Sequence, residues 1–188
     1  SVQFTPPYSL FNGVDYTKLD ASEKLRWLEY HKWKFDASWY TSIIGKLVLM
    51  SRANFGFIGN YNPNLGMTPF ERFWVGGAGL MGFSLDGREL IALRGYSDNS
   101  LTPIVNVNGT PQRQGGIIYN RFTMELRYPI SLNPQATVYP LVFLEAGGDW
   151  SRFKDYNPFE VYRSTGLGVR IFLPMFGMIG LDYGYGFD

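Results

Sequence analysis

Hydrophobic and polar residues alternate along several segments of the chain, as they do in β-strands whose two faces meet different surroundings. The segments are 31–43, 46–58, 118–128, 138–150, 161–173 and 178–187. In the third segment Arg121 and Glu125 share one face, whereas Phe122 and Leu126 share the other. In the segments 46–58, 161–173 and 178–187 the small and charged residues share one face, which suits a crowded interior better than a solvated surface.

The length of these segments indicates a membrane protein. Strands of about 10 to 14 residues, tilted by roughly 45°, span about 25 to 30 Å, the thickness of a bilayer core. A soluble sandwich usually has shorter strands. The chain is 18% aromatic and contains 22 glycines, and it has no run of about 18 apolar residues that would form a transmembrane helix. We therefore predict an all-β fold, a transmembrane antiparallel β-barrel.

Short and long connections alternate between the predicted strands. Residues 44–45, 131–136 and 174–177 are short connections, whereas 59–116 and 151–160 are long. Short periplasmic turns and long extracellular loops are typical of barrels in the bacterial outer membrane. We expect residues 1–188 to form one partial barrel domain with a long extracellular loop at about 59–116.

The strand directions predict that this barrel continues. The last strand follows a short turn and runs outward, so at least one more strand is expected after Asp188. Residues 1–6 resemble the tail of a strand that Pro6-Pro7 interrupts, and no signal peptide is present. We expect the chain to be the C-terminal portion of a larger barrel whose final strand is missing.

Arg94 lies in the long loop, in the tripeptide Arg94-Gly95-Tyr96. A single loop arginine is most often solvated. Here, however, Glu125 and Glu145 occupy the polar faces of neighbouring strands, and the loop is long enough to reach them. We predict that the loop folds into the barrel and that Arg94 forms salt bridges with these carboxylates. Gly95 would allow the chain to turn, and Tyr96 would pack beside the wall.

Other chemistry finds little support in the sequence. Cysteine is absent, so no disulfide or thiolate metal site is expected, and a net charge of +1 gives no electrostatic case for nucleic acid. His31 is the only histidine and shares its face with Trp33 and Phe35, which indicates a lipid-interface residue more than a general base. Glycine pairs at 76–77 and 115–116 lack the helix and Lys-Ser/Thr of a phosphate site. We predict no catalytic residue, metal or cofactor.

One helix is predicted, over residues 20–30. Asp20 can cap it, Glu23 stands three residues later, and Leu25 and Leu28 supply an apolar face. We interpret it as an extracellular loop helix. A membrane-surface or partner-docking role is the alternative.

Four sequence runs, taken in order, resemble the C-terminal half of the barrel in the BamA family of outer-membrane assembly factors. They are Phe70–Gly77, Leu93–Tyr96, Phe122–Pro129 and Phe143–Gly147. In that family a (Val/Ile)-Arg-Gly-(Phe/Tyr) loop motif enters the lumen and contacts acidic residues of the following strands. The resemblance implies a barrel of about 16 strands. By residue, it implies a lumen-anchored motif (Arg94, Gly95, Tyr96), acidic partners (Glu125, Glu145) and supporting residues (Phe143, Gly147).

The resemblance also implies a function, the insertion of β-barrel proteins into the bacterial outer membrane without ATP. The implied partners are outer-membrane lipids, nascent β-barrel clients and accessory lipoproteins, the last contacted through periplasmic domains absent from this sequence. Two positions depart from the family pattern: Leu93 replaces a β-branched residue, and Glu145 replaces the aspartate of a Phe-x-Asp-x-Gly motif. Asp182 faces inward with no partner assigned.

Two alternative functions remain open. A two-partner-secretion or autotransporter-assembly pore would share the loop motif and serve other clients. In a passive porin a long loop also folds inward, but its acidic residues usually face basic wall residues, the opposite polarity. We expect Arg94→Ala to leave Glu125 and Glu145 without their cation. We also expect Arg94→Glu combined with Glu125→Lys to restore some function if these two residues meet directly.

Overall fold

The computed structural model describes residues 1–24, 26–78, 88–107, 109–133 and 135–188, with only the backbone described for 21 and 22. In chain order its strands are β1 (Val2–Phe4), β2 (His31–Ile44), β3 (Leu47–Gly59), β4 (Phe73–Val75), β5 (Glu89–Ile91), β6 (Ile104–Val107), β7 (Thr110–Arg113), β8 (Ile118–Arg127), β9 (Ser131–Asn133), β10 (Ala136–Trp150), β11 (Tyr162–Leu173) and β12 (Gly177–Gly186). One short α-helix, α1 (Ala21–Lys24), and three 3-10 turns (Tyr8–Leu10, Pro63–Leu65, Phe153–Asp155) complete the elements.

Eight strands form one sheet in the order β1-β2-β3-β8-β10-β11-β12, with β9 paired to β10. Every pairing in it is antiparallel. The sheet is open across the described residues, with β1 and β12 as its outermost strands. The predicted all-β fold is confirmed, and the long predicted strands begin and end close to the expected residues.

The two faces of the sheet differ as the alternation predicts. Leu126, Leu144 and Leu181 are exposed on the outer face, whereas Thr123 and Glu125 are buried on the inner face. Because successive side chains of a strand point to opposite faces, this contrast fixes the register of each strand. The apolar outer face suits contact with lipid.

A proline ends β8. The Tyr128 N–H donates to the Pro140 carbonyl across the β8–β10 pair, with an N···O distance of 3.1 Å. Pro140 has no N–H to return this bond, and Pro129 follows Tyr128 directly. Regular pairing of β8 therefore stops at Arg127.

The loop between β3 and β8, residues 60–117, connects two strands that are neighbours in the sheet. It contains the parallel pair β4–β5 and the hairpin β6–β7, and β4 lies against β8 and β10. The main apolar core lies between the loop and the inner face. Its buried members are Ile58, Phe73, Val75, Leu93, Ile117, Ile118 and Tyr119. The part of the loop at 79–87 lies outside the described residues.

The helix predicted over residues 20–30 is wrong beyond its first turn. Only α1 (Ala21–Lys24) is helical, and Leu25 lies outside the described residues. The chain then bends, and the Glu29 carboxylate is buried against Ser9. It accepts hydrogen bonds from the Ser9 backbone N–H and, at 2.7 Å, from the Ser9 hydroxyl. The hydrogen bonds that satisfy this buried carboxylate stabilise the chain more than a further helical turn would. Among the described residues, no helix has the length and apolar character required to cross a membrane.

Candidate functional site

The loop contacts the inner face of the sheet at Leu93, which is fully buried. Leu93 forms an isolated antiparallel bridge with Gly77. It also lies over Gly147 of β10, where an added Cβ would be 3.3 Å from Leu93 Cδ1 and 2.8 Å from the Asn120 carbonyl oxygen. Because Gly147 lacks a side chain, Leu93 fits against the strand and presents the next residue, Arg94, to the inner face.

Arg94 contacts three carboxylates of the sheet. Its Nη2 lies 2.7 Å from Glu125 Oε1 and 2.8 Å from Glu145 Oε1, and its Nη1 lies 3.3 Å from Asp182 Oδ2. Its backbone N–H donates to the other Glu145 oxygen at 2.8 Å. The structure thus brings the predicted residues Arg94, Glu125 and Glu145 together, and it supplies the partner that Asp182 lacked.

Each of these carboxylates also has an arginine from the sheet itself. The pairs are Glu145 with Arg121 at 2.5 Å, Glu125 with Arg127 at 2.6 Å and Asp182 with Arg170 at 2.6 Å. We call these six residues and Arg94 the Arg94 cluster. The expectation that Arg94→Ala leaves Glu125 and Glu145 without a cation is therefore wrong, because Arg121 and Arg127 remain.

The Arg94 cluster is largely shielded from water. The Glu145 side chain is 0% exposed and the Arg94 side chain 10%. The Arg94 guanidinium carbon lies 3.7 Å from the centroid of the Phe143 ring, a cation–π contact. Burial lowers the pKa of Arg94, but the hydrogen bonds and charges of Glu145 and Glu125 outweigh it, so this pKa lies above its usual value.

Phe143 supports the cluster because β11 leaves room for its ring. An added Cβ at Gly166, the residue paired with Phe143, would lie 2.4 Å from Phe143 Cζ. Any larger residue at Gly166 would displace the ring on which Arg94 rests. This glycine was not among the residues predicted from sequence.

Gly95 and Tyr96 rest on the last two strands. Gly95 has a φ of +92°, and an added Cβ would lie 2.8 Å from the Gly186 nitrogen. The Gly186 N–H donates to the Gly95 carbonyl at 3.1 Å. The Tyr96 hydroxyl donates to the Arg163 carbonyl at 2.7 Å, and its ring stands edge-on to Tyr162 at 6.0 Å between centroids.

Replacing Gly95 with alanine is expected to lift the loop tip from β12. The positive φ disfavours any Cβ, and here the Cβ would also collide with strand backbone that cannot move aside. We expect docking of the tip to weaken by about 2 kcal/mol or more, measured as faster amide hydrogen exchange at Gly186.

Gly109→Ala is the matched control, because Gly109 lies in the same loop with a φ of +82° and has nothing within 4 Å of an added Cβ. Gly109→Ala has the same unfavourable positive φ, but its Cβ meets no neighbouring atom. Equal exchange at Gly186 in both variants would contradict the expected contact.

Three arginines of the cluster were missed as site residues. Arg121 and Arg127 lie on the face of Glu125, and Arg170 lies on the inward face of β11. The alternation therefore contained a signal for them, but not the pairing of each arginine with one carboxylate. His31 lies elsewhere, against the rings of Phe57 and Tyr61.

The arrangement can hold the loop in place electrostatically. Four guanidinium groups meet three carboxylates, and most bonds are between charged groups, which are stronger than neutral hydrogen bonds. In the part of the chain that the structure describes, no group of three or more His, Cys, Asp or Glu residues is placed to hold a metal ion.

Comparison with known proteins agrees with this geometry at the level of a superfamily. The Omp85 superfamily domain matches residues 19–188. A comparison with curated proteins found none that matches the chain. Omp85 proteins are outer-membrane β-barrels of bacteria and organelles that insert proteins or act as secretion pores. The match covers every strand of the sheet except β1, and the chain therefore belongs to the Omp85 superfamily.

Proposed function

We propose that this chain is the C-terminal part of the barrel of a BamA-type assembly factor, which folds and inserts β-barrel proteins into the bacterial outer membrane without ATP. The observation that carries the proposal is the docking of the Arg-Gly-Tyr motif onto two carboxylates of the following strands, Glu125 and Glu145. The sequence runs that resemble the BamA family surround this motif and its partners.

The Arg94 cluster would hold the loop and the strands in position and would take no part in any chemical reaction of the client proteins. Arg94 joins side chains of β8, β10 and β12 through one guanidinium. Because the loop enters from outside, its anchor would hold the extracellular end closed and keep these strands in fixed register. Clients would leave beside braced strands without contacting Arg94.

The proposed partners follow from the two faces of the sheet. Outer-membrane lipids would cover the outer face, where Leu144 and Leu181 are exposed. Nascent β-barrel proteins would be the clients. Accessory lipoproteins would bind through periplasmic domains outside this sequence.

A two-partner-secretion or autotransporter-assembly pore is the second candidate, because secretion pores belong to the same superfamily. A passive porin is less well supported, since Omp85 proteins insert other proteins or act as secretion pores.

Depletion of the full protein that contains this chain would separate the first two candidates. An assembly factor should lower the outer-membrane abundance of many unrelated β-barrel proteins together, measured by quantitative proteomics of purified membranes. Re-expression of the wild-type protein is the control. Loss of one secreted protein with an otherwise normal outer membrane would contradict the proposal and favour the secretion pore.

A further inference from the structure

Lys32 on β2 is a buried lysine in direct contact with the loop. Its side chain is 1% exposed, and its Nζ lies 2.6 Å from Glu89 Oε2 and 3.1 Å from Glu71 Oε2. The same ammonium donates to the Glu71 carbonyl at 2.7 Å and lies 4.9 Å from the centroid of the Phe73 ring. A buried ammonium persists only when it is paired and hydrogen-bonded, and the polar partners of Lys32 among the described residues, Glu71 and Glu89, both belong to the loop.

The two glutamates hold the loop strands β4 and β5. Glu71 lies two residues before β4, and Glu89 is the first residue of β5. The Glu89 N–H donates to the Arg72 carbonyl at 3.2 Å. Lys34, also on β2, adds a second contact to Glu89 at 2.9 Å. Burial would raise the pKa of Glu89, but the two lysines lower it below its usual value.

Glu71 adopts an unfavourable backbone conformation at this contact. Its φ is +62°, in the left-handed region that costs free energy for a residue with a Cβ. Such a conformation persists where the surroundings hold it. Lys32 does so through both the carbonyl and the carboxylate of Glu71.

The charges of this contact are reversed relative to the Arg94 cluster. At Arg94 the loop supplies the cation and the sheet the carboxylates, whereas at Lys32 the sheet supplies the cation and the loop the carboxylates. Neither part of the loop can therefore bind in the place of the other without bringing like charges together.

We propose that Lys32 is a second anchor of the loop, a positioning residue that fixes the β4–β5 pair to β2 while Arg94 separately fixes the loop tip to β8, β10 and β12. The loop then links β2 to β12, which are far apart in the sheet order. The inference extends the proposed role of the loop, but it concerns the position of the loop and does not require any assembly activity.

Residues 1–188 contain no cysteine, so one introduced thiol gives a direct test once any cysteine elsewhere in the full protein has been replaced by serine. Val75→Cys places it in β4, where Val75 is 1% exposed, and Leu93→Cys places it beside Arg94, where Leu93 is 0% exposed. The rate of maleimide labelling is measured on the full protein folded in lipid, with and without Lys32→Met. We expect Lys32→Met to raise the rate at Val75→Cys by about tenfold or more and to raise the rate at Leu93→Cys far less.

Arg94→Ala should give the opposite pattern, with the larger rise at Leu93→Cys. Lys46→Met is the matched control, because Lys46 is exposed in the turn between β2 and β3, and it should change neither rate. Equal rises at both thiols in Lys32→Met would overturn the proposal, because the loop would then be released as one unit.

A further variant covers the case in which Lys32→Met does not fold. Lys32→Met combined with Glu71→Gln and Glu89→Gln also removes the two carboxylate charges that face the Lys32 ammonium in the parent protein. We expect the labelling rate at Val75→Cys to rise in this variant too, because the contact between Lys32 and the loop is removed. Protection equal to that of the parent protein would overturn the proposal. Labelling reports loop position alone, so either result is independent of whether the protein inserts clients.

Discussion

Arg94→Ala is expected to release the loop tip while the strands beneath it stay paired. Glu125 and Glu145 keep Arg127 and Arg121 as partners, so no buried carboxylate loses its last cation. We expect tip docking to weaken by about 2 to 4 kcal/mol, the cost of several charged hydrogen bonds less the desolvation of the guanidinium. Growth complementation should fall strongly, whereas the heat-modifiable folded band should decrease little.

The comparison of Arg94→Lys with an exposed control makes this prediction specific. Lysine keeps the charge but cannot bridge several carboxylates with a planar fork, so Arg94→Lys should lie between the parent and Arg94→Ala. Arg152→Ala is the control, because the Arg152 side chain is 73% exposed and, within the described residues, forms its ion pair with the nearby Asp155. If Arg94→Ala complemented growth as well as Arg152→Ala does, the anchor would have no role in assembly.

Glu145→Lys is expected to prevent folding of the sheet itself. Glu145 is completely buried and accepts bonds from Arg94, Arg121 and the Thr123 hydroxyl. A lysine there would place a third cation between two guanidinium groups, at a position whose side chain is fully buried. We expect a cost above about 5 kcal/mol, seen as loss of the heat-modifiable band.

Glu160→Lys is the control for this reversal, since Glu160 is exposed on the connection between β10 and β11. It should fold normally, and a folded band in Glu145→Lys of equal strength would contradict the expected cost.

The structure also changes the expected result of a charge swap. Arg94→Glu with Glu125→Lys would place the new glutamate against Glu145 and Asp182, both of which Arg94 contacts. The pair is not isolated, so we expect no recovery of folding or complementation. Recovery would show that Glu125 alone accounts for the function of Arg94.

Much of this arrangement could be predicted from sequence because alternation specifies the face of each side chain. Alternation alone predicts that Glu125 and Glu145 face inward, and the loop motif identifies Arg94 as their cation. The pairing of Asp182 with Arg170 required the register of β11 against β12, which depends on both strands together. Alternation within one strand does not contain it.

The interior of the loop could not be predicted for a different reason. β4 and β5 have three residues each and pair in parallel, so neither is long enough to show a period. Their position depends on packing against β8 and on Lys32, contacts between residues distant in the chain. The predicted helix at 20–30 failed similarly, because a local capping signal competed with the tertiary contact between Glu29 and Ser9.

The bond between Gly186 and Gly95 has a consequence for the edge of β12. Consecutive N–H groups of an antiparallel strand point to opposite edges, and the Phe187 N–H donates to Arg163 of β11. The Gly186 N–H therefore belongs to the far edge, and the Gly95 carbonyl already occupies it. Any strand that adds to this edge must form its ladder without that donor while the loop is docked, so residues 94–96 set how far such a ladder can extend toward the C-terminal end of β12.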